Sequence, residues 1–194
     1  MYEAGVDPYC YVGTTVLKNV PGLRDQDALN RFEAIATAKR AEEPLPAGRL
    51  DVRHYRAIHR HLFQDVFRWA GRFRTVRIGK ADSMFCYPEN IVAQMDSLFA
   101  ELKARRILQR PGSDEFAVEA ARFLSTLNAI HPFRDGNGRT QLAFVALLAQ
   151  RAGHPLALER LDPKAFLTAM IASFQGNERL LVDQLRELAQ HSEE

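Results

Sequence analysis

Apolar residues recur along most of the chain at intervals of three and four, the spacing that predicts helices with one buried face. Stripes of this kind follow Asp25, Asp51 and Ser113, and Ser113 is suited to cap the helix that it precedes. Another stripe starts at Pro88, because proline fits the first position of a helix, and two more lie after Pro163. The stripes consist of Leu29, Phe32, Ile35 and Ala36; Val52, Tyr55, Ile58, His59, Leu62 and Phe63; Ile91, Met95, Leu98, Phe99 and Leu102; Phe116, Ala120, Phe123, Leu124 and Leu127; Phe166, Leu167, Met170, Ile171 and Phe174; and Leu181, Leu185 and Leu188.

The stretch from Leu142 to Ala149 is apolar around nearly the whole circumference of the helix that it is expected to form, starting at Gly138. A helix that is hydrophobic all round is buried by its neighbours. We therefore expect an all-α fold, a helical bundle around this central buried helix. With 194 residues and 46% hydrophobic content, the chain is most simply a single domain over residues 1–194, with a core from about residue 25 to residue 188.

One segment departs from the helical pattern. Residues 75–78 alternate briefly between polar and apolar, residues 79–82 are turn-like, and residues 83–87 could return as a second short strand. This predicts a β-hairpin, and a surface hairpin without a partner is one interpretation of it. Arg72, Arg74 and Arg77 form a small basic cluster nearby, which is expected to be a solvated face.

Charge and cysteine content exclude several classes of protein. The formal net charge of +2 is too small to indicate a nucleic-acid partner. Cys10 and Cys86 are far apart and form no C-x-x-C pair, so neither a disulfide framework nor a zinc site is expected. His59 and His61 are two positions apart in one predicted helix, so they do not share a face and are not expected to bind a metal together.

No segment of the sequence predicts insertion into a membrane. The longest apolar run, residues 142–149, has 8 residues, whereas spanning a bilayer needs about 20. The first seven residues lack the apolar stretch of a signal peptide. We therefore expect a protein located in the cytoplasm.

Residues 136–139 have the composition of an anion-binding turn that opens a helix. Gly136 and Gly138 allow a tight turn and leave the amides uncovered, and Asn137 is a plausible N-cap. These amides lie at the start of the apolar helix, where free N–H groups and the positive dipole end favour phosphate oxygens. Arg139 can add a planar fork of donors to a di- or triphosphate.

The residues just before this turn add a base and a metal ligand. His131 can exchange protons near neutral pH, and Asp135 offers a hard oxygen ligand for Mg²⁺, which proteins usually hold with one or two carboxylates plus substrate phosphates. Taken singly, each residue is more typical of an ordinary loop or turn. Taken together within nine residues, they favour a functional site. Phe133 is the exception, because an aromatic residue among polar neighbours is expected to anchor the loop in the core.

At these residues the chain resembles the Fic family, whose signature is H-x-F-x-[D/E]-G-N-G-R-x-x-R. The order of parts looks similar from about Asp7 to Leu188. The resemblance implies transfer of AMP from ATP to a hydroxyl side chain of a target protein, with His131 as base, Asp135 on Mg²⁺ and Arg139 on the outer phosphates. It also implies that Gly136, Asn137 and Gly138 form the anion hole. The hairpin would be a flap that pairs with the target backbone, its first part comprising Thr75, Val76, Arg77, Ile78, Gly79 and Lys80.

The resemblance fails at one position, since Leu142 replaces the second arginine of the signature. In the family that arginine helps to hold the γ-phosphate. Two alternatives therefore stay open: a Fic-fold enzyme with altered nucleotide use or phosphate transfer, and a non-catalytic module that binds a nucleotide or a partner protein. The intact Asn137-Gly138-Arg139, without a lysine at the second glycine, favours AMP transfer.

The resemblance also raises a question of regulation. Family members are often silenced by a helix with the motif [S/T]-x-x-x-E-[G/N]. The nearest match here, Ser97 to Glu101, is followed by Leu102 and lies in a predicted core helix. We therefore expect a stand-alone toxin, silenced by a separate small antitoxin protein.

Overall fold

The computed structural model describes residues 7–80, 83–105 and 112–190, and this part of the chain is overwhelmingly helical. The prediction of a helical fold is confirmed. The helices are α1 Gln26–Glu42, α2 Val52–Phe63, α3 Ile91–Ala104, α4 Ser113–Ile130, α5 Asn137–Ala152, α6 Pro163–Phe174 and α7 Arg179–Gln190, with short 3₁₀ turns at Pro88–Asn90 and Leu158–Arg160.

Aspartate side chains start three of the helices. The carboxylates of Asp25, Asp51 and Asp162 accept hydrogen bonds from the first free amides of α1, α2 and α6, which satisfies donors that a helix cannot pair internally. Ser113 does not cap α4 as predicted. Gly112 occupies the cap position, and Ser113 is already helical.

The prediction that α5 is a central helix buried on all sides is wrong in part. Among the described residues, α4 packs against four helices, namely α3, α5, α6 and α7, and Leu142 and Leu147 of α5 are only half-buried.

Helix α5 still contributes one face to the core. It packs against α2 and α4, and the fully buried Phe144 has its ring against those of Tyr55, Phe99 and Phe123, with centroids 5.4–5.7 Å apart. Aromatic pairs at such separations add stabilisation beyond the area that they bury. The predicted phosphate-binding turn therefore opens a helix that is anchored in the core by Phe144.

The hairpin is shorter than predicted and lies further along the chain. Gly79–Lys80 and Ser83–Met84 pair as antiparallel strands β1 and β2. The prediction of a strand at residues 75–78 and of a turn at Gly79 and Lys80 is therefore wrong. The amide of Thr75 donates to the hydroxyl of Tyr9 at 3.2 Å, so it does not take part in strand pairing. The rest of the predicted turn, Ala81 and Asp82, lies outside the described residues.

Among the residues that the structure describes, no helix combines the length and the apolar character needed to cross a bilayer.

Candidate active site

A cavity of about 510 Å³ lies where α4, α5 and the hairpin meet. The structure brings residues of the predicted loop together around it, along with three residues of the hairpin segment. The lining consists of Ile78, Gly79, Phe85, His131, Arg134, Asp135, Gly136, Asn137, Gly138 and Arg139.

His131 is placed in the cavity by the end of α4. Its backbone has a left-handed conformation, with φ of 48°, which turns the chain away from the helix axis. The imidazole stacks on the ring of Phe85 with a centroid separation of 3.9 Å. Its Nδ1 lies 3.3 Å from the carbonyl oxygen of Asn128. When Nδ1 donates to that oxygen, the neutral ring carries its lone pair on Nε2.

The turn before α5 depends on Gly136 and on the side chain of Asn137. Gly136 has φ of 78°, and a Cβ atom at this position would lie 2.4 Å from the ring of Phe63, so no other residue fits. Gly136 takes the N-cap position predicted for Asn137, which is instead the first helical residue. The buried Asn137 amide clamps the loop, because it accepts from the Phe133 amide at 2.9 Å and donates to the Phe133 carbonyl at 2.8 Å.

The side chain of Phe133 anchors the loop in the core, as predicted. It is fully buried and stacks on His59 of α2 with ring centroids 3.7 Å apart. His59 itself forms a second attachment that the sequence analysis missed. Its Nδ1 accepts a hydrogen bond from the Gly71 amide at 2.8 Å, and its Nε2 lies 3.0 Å from the carbonyl oxygen of Asp135.

These two contacts define the protonation of His59. A backbone N–H can only donate, so Nδ1 must be the acceptor, and Nε2–H donates to Asp135. Burial lowers the pKa of His59 to about 4. A neutral imidazole of defined tautomer therefore holds the backbone next to the candidate metal ligand.

The carboxylate of Asp135 lies at the cavity and is oriented by its own neighbour, since its Oδ1 accepts from the Gly136 amide at 2.6 Å. Within the ranges that the structure describes, no group of three or more histidine, cysteine, aspartate or glutamate side chains could hold a metal ion. A single carboxylate suits Mg²⁺ when substrate phosphates and water complete the ligand set. The Asp135 carboxylate therefore suits a Mg²⁺ ion that enters the site together with a nucleotide.

Arg139 is engaged by α1 in a way that the sequence analysis did not foresee. Its Nη2 forms an ion pair with the Glu33 carboxylate, its Nη1 donates to the Thr37 hydroxyl at 3.1 Å, and its guanidinium carbon lies 4.6 Å from the centre of the Phe63 ring. Burial raises the pKa of Glu33, against the opposing effect of Arg139. Glu101, the nearest match to a silencing glutamate, instead pairs with Arg105 at 3.7 Å.

Leu142 faces a second, mostly apolar cavity of about 460 Å³ and does not line the first. It is half-buried there among residues of α1, α2 and α5. Arg139 lines both cavities. The side chain of Leu142 therefore packs with apolar neighbours beside the arginine.

Arg74 is not part of a solvated basic face, contrary to the sequence analysis. Its side chain is 2% exposed, and its guanidinium donates to backbone carbonyls on both sides of the cavity. Arg134 is tied down as well, through an ion pair with Asp7 at 2.8 Å.

The chain matches known proteins over most of its length. The sequence model of the Fic/DOC family matches residues 49–149. The probable protein adenylyltransferase y4lH of Sinorhizobium fredii is 51% identical over 188 residues, which cover 96% of this chain and 98% of that protein. The protein adenylyltransferase VbhT of Bartonella schoenbuchensis is 35% identical over 183 residues, 93% of this chain and 38% of VbhT.

Solved structures give the same result. BepC of Bartonella tribocorum, an effector solved with bound AMPPNP, superposes with a TM-score of 0.81 at 30% identity, over 93% of this chain and 95% of that one. The N-terminal Fic domain of an effector from Bartonella quintana, solved with bound ADP, has a TM-score of 0.82 at 30% identity and covers 93% of both chains. The sequence match, the shared helical fold and the His131 to Arg139 loop together show that this chain belongs to the Fic/DOC family.

Proposed function

We propose that the protein transfers AMP from ATP to the hydroxyl of a tyrosine, threonine or serine side chain in a target protein. The observation that supports this most directly is the single cavity in which an imidazole, a carboxylate, an arginine and the start of a buried helix are adjacent. Relatives that are 33–51% identical over most of the chain are named protein adenylyltransferases. Two of the superposed relatives hold AMPPNP or ADP.

The phosphates of ATP bind at the N-terminus of α5. Of the three residues predicted as the anion hole, Gly136 donates its amide to the Asp135 carboxylate. The amides of Asn137 and Gly138, together with that of Arg139, belong to the first turn, where no carbonyl of the helix itself can accept from them. A Cβ atom at Gly138 would meet nothing within 4 Å, so the space beside this amide is open for phosphate oxygens. Helix termini of this kind bind anions well. Arg139 adds charge at the outer phosphates when it exchanges its bond to Glu33 for a bond to the nucleotide.

His131 acts as the general base. Its Nε2 removes the proton from the target hydroxyl, whose oxygen then attacks the α-phosphorus of ATP. The bond between the α-phosphorus and the bridging oxygen of pyrophosphate breaks, so the products are the AMP ester of the target, pyrophosphate and the proton on His131. Positioning and charge stabilisation supply most of the rate enhancement in such reactions.

Asp135 would hold Mg²⁺ together with the phosphates of ATP. Bound there, Mg²⁺ would supply positive charge that stabilises the departing pyrophosphate. The hydrogen bond from the Gly136 amide orients the carboxylate for this role.

The hairpin segment aligns the target peptide with the active site. Ile78 and Gly79 line the cavity. The segment from Thr75 to Lys80 offers backbone groups to an extended peptide, apart from the Thr75 amide and the Val76 carbonyl, which are bonded to Tyr9 and Arg74. In strand addition the hydrogen bonds are made by the main chain, so they do not depend on the side chains of the target. This pairing would place a hydroxyl side chain opposite His131. We further propose that the protein is a cytoplasmic toxin whose activity is blocked by a small antitoxin protein.

Radiolabelled ATP in a cell lysate tests this function. Transfer of AMP labels target proteins when the label is on the α-phosphate and leaves them unlabelled when it is on the γ-phosphate. Phosphate transfer gives the reverse pattern, and a non-catalytic module gives neither. The His131→Ala variant is the control, and it should lose about 10²–10⁴-fold in rate because the general base is missing, while ATP binding measured by calorimetry is retained. Labelling from the γ-phosphate, or α-phosphate labelling that is unchanged by His131→Ala, would exclude the proposal.

A further inference from the structure

Arg74 is a buried cation that binds backbone carbonyls and no acidic side chain. It is 2% exposed and lies in the loop between α2 and β1. Across the described residues, none of the ion pairs involves it. Its donors instead reach four carbonyl oxygens, those of His131 at 2.8 Å, Val76 at 2.7 Å, Cys86 at 2.6 Å and Ile130 at 3.2 Å.

Two of these carbonyls belong to the end of α4. Ile130 is its last residue and His131 follows it, so both oxygens lack partners within the helix and lie at the negative end of its dipole. A buried guanidinium satisfies them and opposes the dipole. The backbone of Arg74 adds a third connection, because its amide donates to the carbonyl of Pro132 at 2.9 Å. The same arginine is therefore bound to three consecutive residues around the catalytic base.

The other two carbonyls flank the hairpin. Val76 precedes β1 and Cys86 follows β2, so Arg74 joins the incoming and the outgoing strand at their base. The amide of Cys86 also donates to the carbonyl of Ala129 at 3.1 Å. A planar fork of five donors can make all four side-chain contacts at once, which a lysine ammonium cannot do.

We propose that Arg74 is the positioning residue that sets the target-docking hairpin at a defined distance from the imidazole of His131. The proposal rests on the proposed function, in which the hairpin holds the target and His131 takes its proton. Arg74 is not among the residues that line the cavity, so it acts through the backbone of the groups that do. A misplacement of the reacting groups by about 1 Å can cost on the order of a hundredfold in rate. Loss of the Arg74 hydrogen bonds should therefore lower the rate of AMP transfer more than it lowers the affinity for ATP.

The variants Arg74→Lys and Arg74→Gln test this role, with Arg72→Lys as the matched control, since Arg72 is a neighbouring exposed arginine. We expect Arg74→Lys to lower the maximal rate of α-phosphate labelling of lysate proteins by about ten- to a hundredfold, the effect of losing a charge-assisted hydrogen bond. The KM for ATP should stay within about twofold of the original value. Arg72→Lys should change neither quantity.

Two outcomes would overturn the proposal. One is an unchanged labelling rate in Arg74→Lys. The other is a joint loss of ATP affinity and labelling in proportion, because that pattern indicates a general loss of structure.

Hydrogen exchange gives a readout that needs neither turnover nor a target. The amide of Phe85 donates to the carbonyl of Ile78 at 3.3 Å, next to the hairpin strands. Its exchange should accelerate by about tenfold or more in Arg74→Gln, whereas the amides of α5 should keep their protection. Equal acceleration in both places would show that Arg74 only stabilises the fold.

The unmodified protein keeps the proposal testable should the variants fail to fold. The Nε–H proton of Arg74 donates to His131, so it should exchange at least about tenfold more slowly than that of exposed Arg72. Equal exchange rates for the two arginines would contradict the hydrogen bond between the Arg74 side chain and the His131 carbonyl. An absence of α-phosphate labelling by the unmodified protein, combined with slow exchange at Arg74, would reject the proposed function and leave the connection itself intact.

Discussion

His59 keeps its contacts only while its ring is neutral. Protonation would place a hydrogen on Nδ1, directly opposite the N–H of Gly71, so one of the two contacts would become repulsive. Burial adds to this cost, since the ring is fully enclosed. Burial is the largest cause of the low pKa of His59, and the positive charge of Arg139 lowers it further.

The protein should therefore lose stability in mildly acidic solution. Since the pKa of His59 falls from an ordinary 6.5 to about 4 on folding, the unfolded chain binds the proton more readily. The contribution of neutral His59 to the free energy of unfolding is complete above pH 6.5. It is lost as the pH falls towards 4, which lowers the free energy of unfolding by about 3 kcal/mol over that window. Urea unfolding of the protein and of His59→Gln at several pH values measures it. We expect the variant to show a flatter dependence between pH 6.5 and 4, and parallel curves would contradict the assignment.

Leu142 allows a second prediction for a single residue. It lies one turn after Arg139 and lines the cavity that Arg139 also reaches. An arginine at this position could extend past its neighbour to the outer phosphate of ATP and add a charge-assisted bond. We expect Leu142→Arg to tighten ATP binding by about ten- to a hundredfold and to raise AMP transfer, as measured by calorimetry and target mass. Leu142→Met, which keeps an apolar side chain, is the control. Equal or weaker binding by Leu142→Arg would indicate that this chain holds its nucleotide differently.

The distance in sequence between partners explains which site residues could be predicted. His131 and Asp135 to Arg139 are contiguous, so their combination is visible in the sequence. Their supports are not, because His59 and Asp135 are 76 residues apart and Glu33 and Arg139 are 106 apart. His59 gave one usable signal, its place in the apolar stripe of α2. No feature of the sequence indicated that Arg74 is buried, because a cluster of arginines is typical of a protein surface.

At the scale of elements, α1 supplies a competitor for the phosphates of ATP. Glu33 holds Arg139 with a carboxylate that is 12% exposed, whereas the arginine is 43% exposed. The pair is therefore partly solvated, and its free energy lies near the modest values of surface ion pairs. ATP must replace it to use the same guanidinium.

Removal of the Glu33 charge should favour ATP binding. We expect Glu33→Gln to lower the Kd for ATP by about two- to fivefold, in keeping with the modest free energy of such pairs. Glu43→Gln is a suitable control, because Glu43 pairs with Arg40 at the other end of the same helix region. Calorimetric titration compares the three proteins. Weaker binding in Glu33→Gln would instead mean that the glutamate orients Arg139 for the phosphates.

The hairpin illustrates why short strands are hard to locate from sequence. The alternation in residues 75–78 is real, since exposed positions alternate there with half-buried ones. Alternation reports which side of the chain is buried, but it does not report which partner takes the backbone hydrogen bonds. Tyr9 and Arg74 take those of Thr75 and Val76, and pairing between strands begins only at Gly79. The docking role of the hairpin stays a proposal.

At the scale of the whole molecule, helical periodicity was sufficient to predict the fold, because burial in a bundle follows the same period as the helix itself. The predicted burial of α5 on all sides was wrong, because its apolar residues are divided between the core and a half-buried face that lines a cavity. Caps were harder to predict, since Gly112 and Gly136 take positions at which a polar side chain was expected. In both cases the backbone geometry decided the cap. The extent of the single domain stays a prediction.

A ligand that binds the start of α5 should stabilise the folded chain, because one face of that helix is buried in the core. Saturation with ATP and Mg²⁺ at about one hundred times Kd adds about 2.7 kcal/mol, which corresponds to a rise in Tm of about 5–10 °C for a domain of this size.

The contribution of Mg²⁺ should depend on Asp135. We expect Asp135→Ala to keep the rise that ATP alone produces and to lose the further rise with Mg²⁺, whereas Asp96→Asn, which changes an exposed carboxylate of α3 outside the cavity, should keep both. Thermal unfolding with ATP, with Mg²⁺ and with both distinguishes these cases. A Mg²⁺-dependent rise that persists in Asp135→Ala would assign the metal to the phosphates alone and remove Asp135 from the site.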